Sequence, residues 1–172
     1  MRQGLVHLYT GEGKGKTTAA VGLSVRCLGT GGKVLFVQFL KGCPSGECAL
    51  LQQLGARLIR AQTSAKFTNQ MTPDELAELA GQNLQTLEQA REVLQDYQLL
   101  VLDEAIGALG CGLLPLESLL ELVEQRPPHL EVVLTGRGPP EELTQLADYH
   151  TEFACKRHPF EKGISARKGV EF

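Results

Sequence analysis

At 172 residues the chain is long enough for one domain that buries most of the surface its unfolded form exposes. Hydrophobic residues make up 42%, charged residues 22% and aromatic residues 5%, with no Trp, so a soluble globular protein with a core of Leu, Val, Ala and Ile is expected. A net charge of −3 argues against a broadly basic nucleic-acid surface. The short, charge-broken apolar stretches argue against a membrane span.

In chain order, residues 4–10 (GLVHLYT) form the first expected strand, passing straight into a glycine loop rather than reading as a signal peptide. A helix is expected from Lys16 to about Leu28, ended by Gly29, Gly31 and Gly32. The unbroken apolar run 33–40 (KVLFVQFL) is a strand covered on both faces. A short helix near Glu47–Leu54 and a strand around Ala56–Ile59 come next, then an exposed loop over 62–72. Thr72 is the expected N-cap of a helix with Pro73 in its first turn, its apolar stripe running through Leu76, Ala80, Leu84, Leu87 and Leu94. Tyr97–Asp103 and Glu131–Thr135 read as strands, Pro115–Glu124 and Pro139–Ala147 as helices, and Tyr149–Cys155 as a last strand. Strands alternating with helices predict one α/β domain over 1–172, with a mainly parallel sheet flanked by helices. Ligands of such sheets bind at the carboxyl ends of the strands. The five cysteines (Cys27, Cys43, Cys48, Cys111 and Cys155) are odd in number and scattered, as in a reduced, cytoplasmic protein. Cys43 and Cys48 lack the second Cys or His pair of a zinc site.

The strongest chemical signal is Thr10-Gly-Glu-Gly-Lys-Gly-Lys-Thr-Thr18, between the first strand and the first helix. Its ending, Gly15-Lys16-Thr17, is that of a phosphate-binding P-loop. Glycines at 11, 13 and 15 let successive N–H groups turn towards phosphate oxygens, the helix N-terminus and Lys16 add positive charge, and Thr17 offers a hydroxyl to Mg2+. Thr10 stands where the strict motif has Gly. A second element, Leu99-Leu-Val-Leu-Asp-Glu104, ends a buried strand in two carboxylates, Asp103 and Glu104, able to bind Mg2+ or one of its waters.

With these residues in place, the chain resembles the P-loop ATP:corrinoid adenosyltransferases. The resemblance rests on TGEGKGKTTAA (10–20), VQFLKG (37–42), Gly46-Glu47, Phe67-Thr68, VLDE (101–104), LTGRG (134–138), Ala147-Asp148, Lys156 with His158, and Gly169-Val-Glu-Phe172. Thr10 at the head of the loop is also the family's variant. The resemblance implies transfer of the 5′-deoxyadenosyl group of MgATP to the Co(I) of a corrinoid, with triphosphate as the other product. Cobalt(I) is itself the nucleophile, so positioning and charge stabilisation are what the protein must provide. It further implies that Thr10, Gly11, Glu12, Gly13, Lys14, Gly15, Lys16, Thr17 and Thr18 hold the nucleotide. Lys16, Thr17 and Glu104 carry the catalytic load, and Thr17, Asp103 and Glu104 the metal.

Arg26 and Arg137 are weaker candidates for phosphate or neighbouring contacts. Phe67 matches a position that displaces the lower ligand of cobalt, although the Trp that some relatives place two residues later is Asn69 here. The resemblance also implies an ATP reversed relative to other P-loop enzymes, a reductase that delivers Co(I), and a homodimer. Several relatives carry an N-terminal extension over a partner's site; a chain starting at the first strand is not expected to close its site that way. The basic tail (Lys156, Arg157, Lys162, Arg167, Lys168) is either a solvated surface or a closing segment. Two other readings stay open on the residues: a P-loop kinase or NTPase releasing ADP and phosphate, and a non-catalytic ATP- or corrinoid-binding module that leaves ATP intact.

Overall fold

The computed structural model describes residues 3–42, 45–61, 66 and 68–171. The elements are β1 (Val6–Thr10), α1 (Lys16–Gly29), β2 (Val34–Gln38), α2 (Gly46–Gln53), β3 (Arg57–Arg60), α3 (Pro73–Arg91), β4 (Leu99–Asp103), α4 (Ala105–Gly110), α5 (Leu116–Glu124), β5 (Glu131–Thr135), α6 (Glu141–Gln145) and β6 (Tyr149–Glu152). The strands form one sheet in the order β3-β2-β4-β5-β1-β6, with every neighbouring pair parallel. No helix among the described residues is long and apolar enough to cross a membrane.

Alternation along the central strands divides the core in two. Val34, Phe36, Leu99, Val101 and Val133 face a cluster with Ala20 of α1 and Leu51 of α2. Leu35, Val37, Leu100, Leu102, Val132 and Leu134 face the opposite way, onto Leu79 and Leu87 of α3 and Leu119 and Leu122 of α5. This double covering is why β2 and β4 are apolar at nearly every position. It also fixes the phase of the polar residues that end these strands. Continuing two residues at a time from Val34, Leu99 and Val133 leads to Gln38, Asp103 and Thr135. All three lie on the α1 side of the carboxyl edge, and Gln38 is the register partner of Asp103.

The expected strand–helix alternation is present, with differences that have local causes. The buried line of α3 runs through Leu79, Asn83, Thr86, Leu87 and Ala90, while Leu84 is exposed. Of the expected stripe, Leu87 and Leu94 are buried and Leu76 and Ala80 pack against the same core, so Leu84 alone of the five departs from it. Asn83 is accommodated inside because its Nδ2 donates to the Leu113 carbonyl at 2.9 Å. Helix α4 has no counterpart in the expected elements: six residues, two of them Gly, are too few to display a helical period. Helix α6 is shorter than 139–147, and β6 stops at Glu152 rather than Cys155. Thr68–Gln70 forms a short 3-10 turn; the remainder of the expected 62–72 loop includes residues outside those described.

The start of α3 closes a capping box. The Glu75 N–H donates to Thr72 Oγ1 at 3.3 Å, and the Thr72 N–H to Glu75 Oε2 at 2.8 Å. Thr72→Ala is expected to lower the unfolding free energy by about 1 kcal/mol, read as a lower urea midpoint with an unchanged slope.

Candidate active site

The phosphate-type loop leaves β1 at Thr10, which is buried with Oγ1 paired to His150 Nε2 at 2.8 Å. That contact to β6 is something glycine at this position would forgo. Phe153, just past β6, then runs beneath the loop. The Gly13 N–H donates to the Phe153 carbonyl at 2.6 Å. A methyl group on Gly13 would sit 2.6 Å from that oxygen, and one on Gly15 3.0 Å from the Phe153 ring. Gly15 also has φ of 123°, a conformation that favours glycine. These glycines are thus required by the β6 connection as well as by any anion above. Helix α1 starts at Lys16, and Ala19 is the first residue to bond back to the Gly15 carbonyl. The amides of Lys16, Thr17 and Thr18 accordingly open the helix without intrahelical acceptors, the arrangement that attracts anions.

Lys16 is buried, its Nζ donating to the carbonyls of Gly11 at 2.7 Å and Gly13 at 3.0 Å. Burial lowers its pKa below the usual lysine range; Arg137 adds to this, and the charges of Glu104, Glu12 and Asp103 oppose it. Asp103 has no exposed surface and collects three donors. Its Oδ1 accepts from Thr17 Oγ1 and Thr135 Oγ1, each at 2.8 Å, and its Oδ2 from Gln38 Nε2 at 3.1 Å. Thr135 Oγ1 in turn accepts the Glu104 N–H at 2.9 Å. That bond helps hold Glu104 in a left-handed conformation, φ 58°, turning its side chain away from the strand and into the cleft.

Burial is the main influence raising the pKa of Glu104; the charge of Asp103 adds to it, while Lys16, Arg137 and Lys41 pull the other way. The cleft over the loop has a volume of about 330 Å³, and its lining includes Lys16, Thr17, Thr18, Glu104, Arg137 and Glu171. Hydroxyl and carboxylate oxygens at Thr17 and Glu104, above Asp103, are the hard donors that suit Mg2+. Among the described residues no group of three His, Cys, Asp or Glu forms a metal cage. A site completed by phosphate and water fits this donor set, and Mg2+ characteristically takes such sites.

The fold therefore gathers Gly11 to Thr18, Asp103, Glu104 and Arg137 at one edge. Arg137 Nη1 pairs with Glu12 Oε2 at 3.0 Å, both side chains more than half exposed. Lys14 Nζ reaches the Val170 carbonyl at 2.6 Å and Glu171 at 3.7 Å, so the tail passes over the loop. Arg167 donates to the Glu171 carboxylate and, with its own N–H, lowers that pKa to about 2. His158 also lines the cleft, its Nδ1 accepting from the Phe160 N–H at 3.2 Å. Arg26 is not brought to the loop: it lies exposed in the last turn of α1, ten residues and about 15 Å along the axis from Lys16. Phe67 lies outside the described residues. Gln38, Thr135, His150 and Phe153 were not among the expected site residues. The first two are polar ends of apolar strands, set beside Asp103 by the pairing of β2 and β5 with β4; the others are brought to the loop by the pairing of β6 with β1.

A glycine loop with a lysine at the head of a helix, facing a buried acid across the carboxyl edge of a parallel sheet, defines a P-loop nucleotide-binding protein. The family model described as "ATP:corrinoid adenosyltransferase BtuR/CobO/CobP" matches residues 2–172, and the chain belongs to that family. It is 34% identical over 173 residues to the corrinoid adenosyltransferase of Escherichia coli strain K12, covering 99% of this chain and 86% of that one. The corrinoid adenosyltransferase CobA of Salmonella typhimurium gives the same identity and coverage. The corrinoid adenosyltransferase of Pseudomonas aeruginosa is 37% identical, with 99% of this chain and 84% of that one covered.

A raised pKa means that folding disfavours the charged form of Glu104. The penalty is absent well below the ordinary 4.5, where folded and unfolded chains are both protonated. It grows as pH rises through the folded titration range and is complete once the group is ionised. Glu104→Gln is therefore expected to have a higher Tm than the parent at pH 7.5 without nucleotide, the difference shrinking as pH falls towards 4.5. Parallel thermal melts across that range check it.

Proposed function

We propose that this enzyme transfers the 5′-deoxyadenosyl group of ATP to the Co(I) of a corrinoid, giving an adenosylcorrinoid such as adenosylcobalamin and triphosphate. The observation that carries the reading is the juncture of the loop with β4: Lys16 under the loop, and Thr17 bonded at 2.8 Å to the fully buried Asp103. In a family of ATP:corrinoid adenosyltransferases, that juncture is where a triphosphate and its metal would be held.

The cobalt electron pair forms the Co–C5′ bond, and the C5′–O bond breaks with its pair leaving on triphosphate. Cobalt is formally oxidised from Co(I) to Co(III), and no protein base is required. The chain's task is to hold C5′ in line and to meet the growing charge on the leaving oxygen. On this reading the amides of Lys16, Thr17 and Thr18 and the Lys16 ammonium receive the triphosphate, Lys16 giving up the carbonyls of Gly11 and Gly13. Mg2+, when bound, neutralises phosphate charge. Asp103 takes the hydroxyl hydrogen of Thr17, leaving that oxygen's lone pairs directed into the cleft, with Glu104 beside them. Lys14 and Arg137 are within reach of the anion if they exchange Glu171 and Glu12 for it.

The proposal includes an electron-donating reductase, a second copy of the chain and a cytoplasmic setting, with Phe67 shielding the lower face of cobalt. The whole of 1–172 acts as one domain.

Anaerobic incubation with MgATP and chemically reduced cob(I)alamin is expected to give the light-sensitive spectrum of a Co–C bond and one triphosphate per adenosyl group. Release of ADP and phosphate would overturn the reading in favour of a kinase or NTPase, and intact ATP would point to a binding module. Lys16→Ala is expected to lower turnover by at least about 100-fold, the scale for losing a main stabiliser of developing charge.

A further inference from the structure

We propose that Gln38, at the end of β2, is a positioning residue for the metal-binding acid Asp103, and that Cys48 of α2 sets its orientation. The inference rests on the reading of Thr17, Asp103 and Glu104 as the Mg2+ side of the nucleotide site.

Gln38 comes after four fully buried apolar residues and is itself without exposed surface. A side-chain amide in such a position costs stability unless both of its ends are bonded. Both are. Nε2 donates to Asp103 Oδ2 at 3.1 Å, and Oε1 accepts from Cys48 Sγ at 3.6 Å, a length suited to sulfur. The two neighbours leave the amide one orientation, because an ionised carboxylate only accepts and a thiol here donates. Burial is the leading influence that pushes the Cys48 thiol up from its ordinary pKa, so it keeps the proton it donates. Backbone bonds fix the same spot: the Phe39 N–H donates to the Asp103 carbonyl at 2.9 Å, and the Ala61 N–H to the Gln38 carbonyl at 3.3 Å.

The geometry has a directional consequence. Oδ1 of Asp103 is shared by Thr17 and Thr135 on one side, and Gln38 is the donor given to Oδ2. Gln38 therefore sets the plane of the carboxylate, and the carboxylate plane sets where the Thr17 oxygen points its lone pairs. Without the amide, the terminal torsion of Asp103, which is broad and roughly two-fold, is restrained through Oδ1 alone. Partners of this kind, one step behind a ligand, typically change metal affinity by factors of ten or more.

The test is nucleotide binding by calorimetry, with no corrinoid present, in Mg2+ and in excess EDTA, on Gln38→Leu, Cys48→Val, Cys48→Ser and Asp103→Asn, each first checked by thermal melting. Gln38→Leu is expected to weaken binding in Mg2+ by about tenfold while changing binding in EDTA little. Cys48→Val should show a smaller loss of the same kind, which Cys48→Ser, keeping a donor, restores. Equal losses for Gln38→Leu with and without Mg2+ would make Gln38 a structural residue and overturn the proposal, as would parent-like binding in both. If Gln38→Leu does not fold, the Cys48 pair decides: a Mg2+-specific loss in Val restored in Ser upholds the proposal, and its absence overturns it. Asp103→Asn separates the two levels. If it too leaves the Mg2+ gain unchanged, the metal reading of β4 fails; if it abolishes the gain while Gln38→Leu and Cys48→Val do not touch it, only the role of Gln38 fails.

Discussion

A carboxylate with no exposed surface must be surrounded by donors, and Asp103 recruits them from three separate elements: Thr17 at the first turn of α1, Gln38 at the end of β2 and Thr135 at the end of β5. Removing a partner from such a group leaves a charge underserved in low dielectric, which costs more than a surface pair is worth. The rest of the carboxyl edge is organised around this demand. Helix α1 must begin where Thr17 can reach across, so the loop before it is confined between Thr10 and Lys16. Thr135 must lie between β1 and β4, which the order β4-β5-β1 provides. Glu104, the next residue, is turned out of the strand by its bond to the same Thr135. One buried acid thus ties the loop, the Thr17 hydroxyl and the second acid into a single arrangement.

The loop is held from the other side by β6. All four residues of that strand are exposed, and it ends the sheet beside β1, so its contribution is not a hydrophobic core. It delivers His150 to Thr10 and the Phe153 carbonyl to the Gly13 N–H. The glycines are bare on the side of Phe153 for packing, and on the proposed function they are bare on the other side for phosphate. Two requirements on the same three residues leave little room for substitution. They also explain why a threonine heads the loop, because that position faces β6 and has a bond to make there.

Much of this was legible in the sequence. The strands appear because a doubly covered sheet demands long apolar runs, and β5 is bounded at the residues its pattern indicates. The loop, Asp103 and Glu104 announce themselves by residue type. Local pattern is silent where long-range pairing decides: nothing around Phe153 indicates that it will lie under Gly13, and Asn83 reads as a surface residue until Leu113 supplies its acceptor. Arg26 shows the opposite case. Proximity to the loop in sequence invites a phosphate role, but a helix carries a residue away at 1.5 Å per step, and Arg26 ends where it complements the carboxyl end of α1 instead. Gln38 sits between these cases. Its polar type at the end of an apolar run marks a strand end, and the parallel register of β2 on β4 is what sets it beside Asp103.

The charges around Lys16 link this architecture to chemistry. The ammonium turns back on the carbonyls of its own loop, Arg137 pairs with Glu12, and Lys14 holds the tail at Val170 and Glu171. Each of these three cations is therefore engaged by a group that a triphosphate would replace on the proposed function. Exchanging a carbonyl or an exposed carboxylate for a multiply charged anion in a partly enclosed cleft strengthens the interaction, because charge-assisted bonds exceed neutral ones and screening by water is reduced. Under the proposed function the Asp103 carboxylate beneath the cleft would oppose that exchange until a divalent ion lay between acid and phosphate, whereas Glu104, whose pKa burial raises, adds less charge. On that reading nucleotide and divalent ion would assist each other's binding, each offsetting charge that the other brings to the cleft.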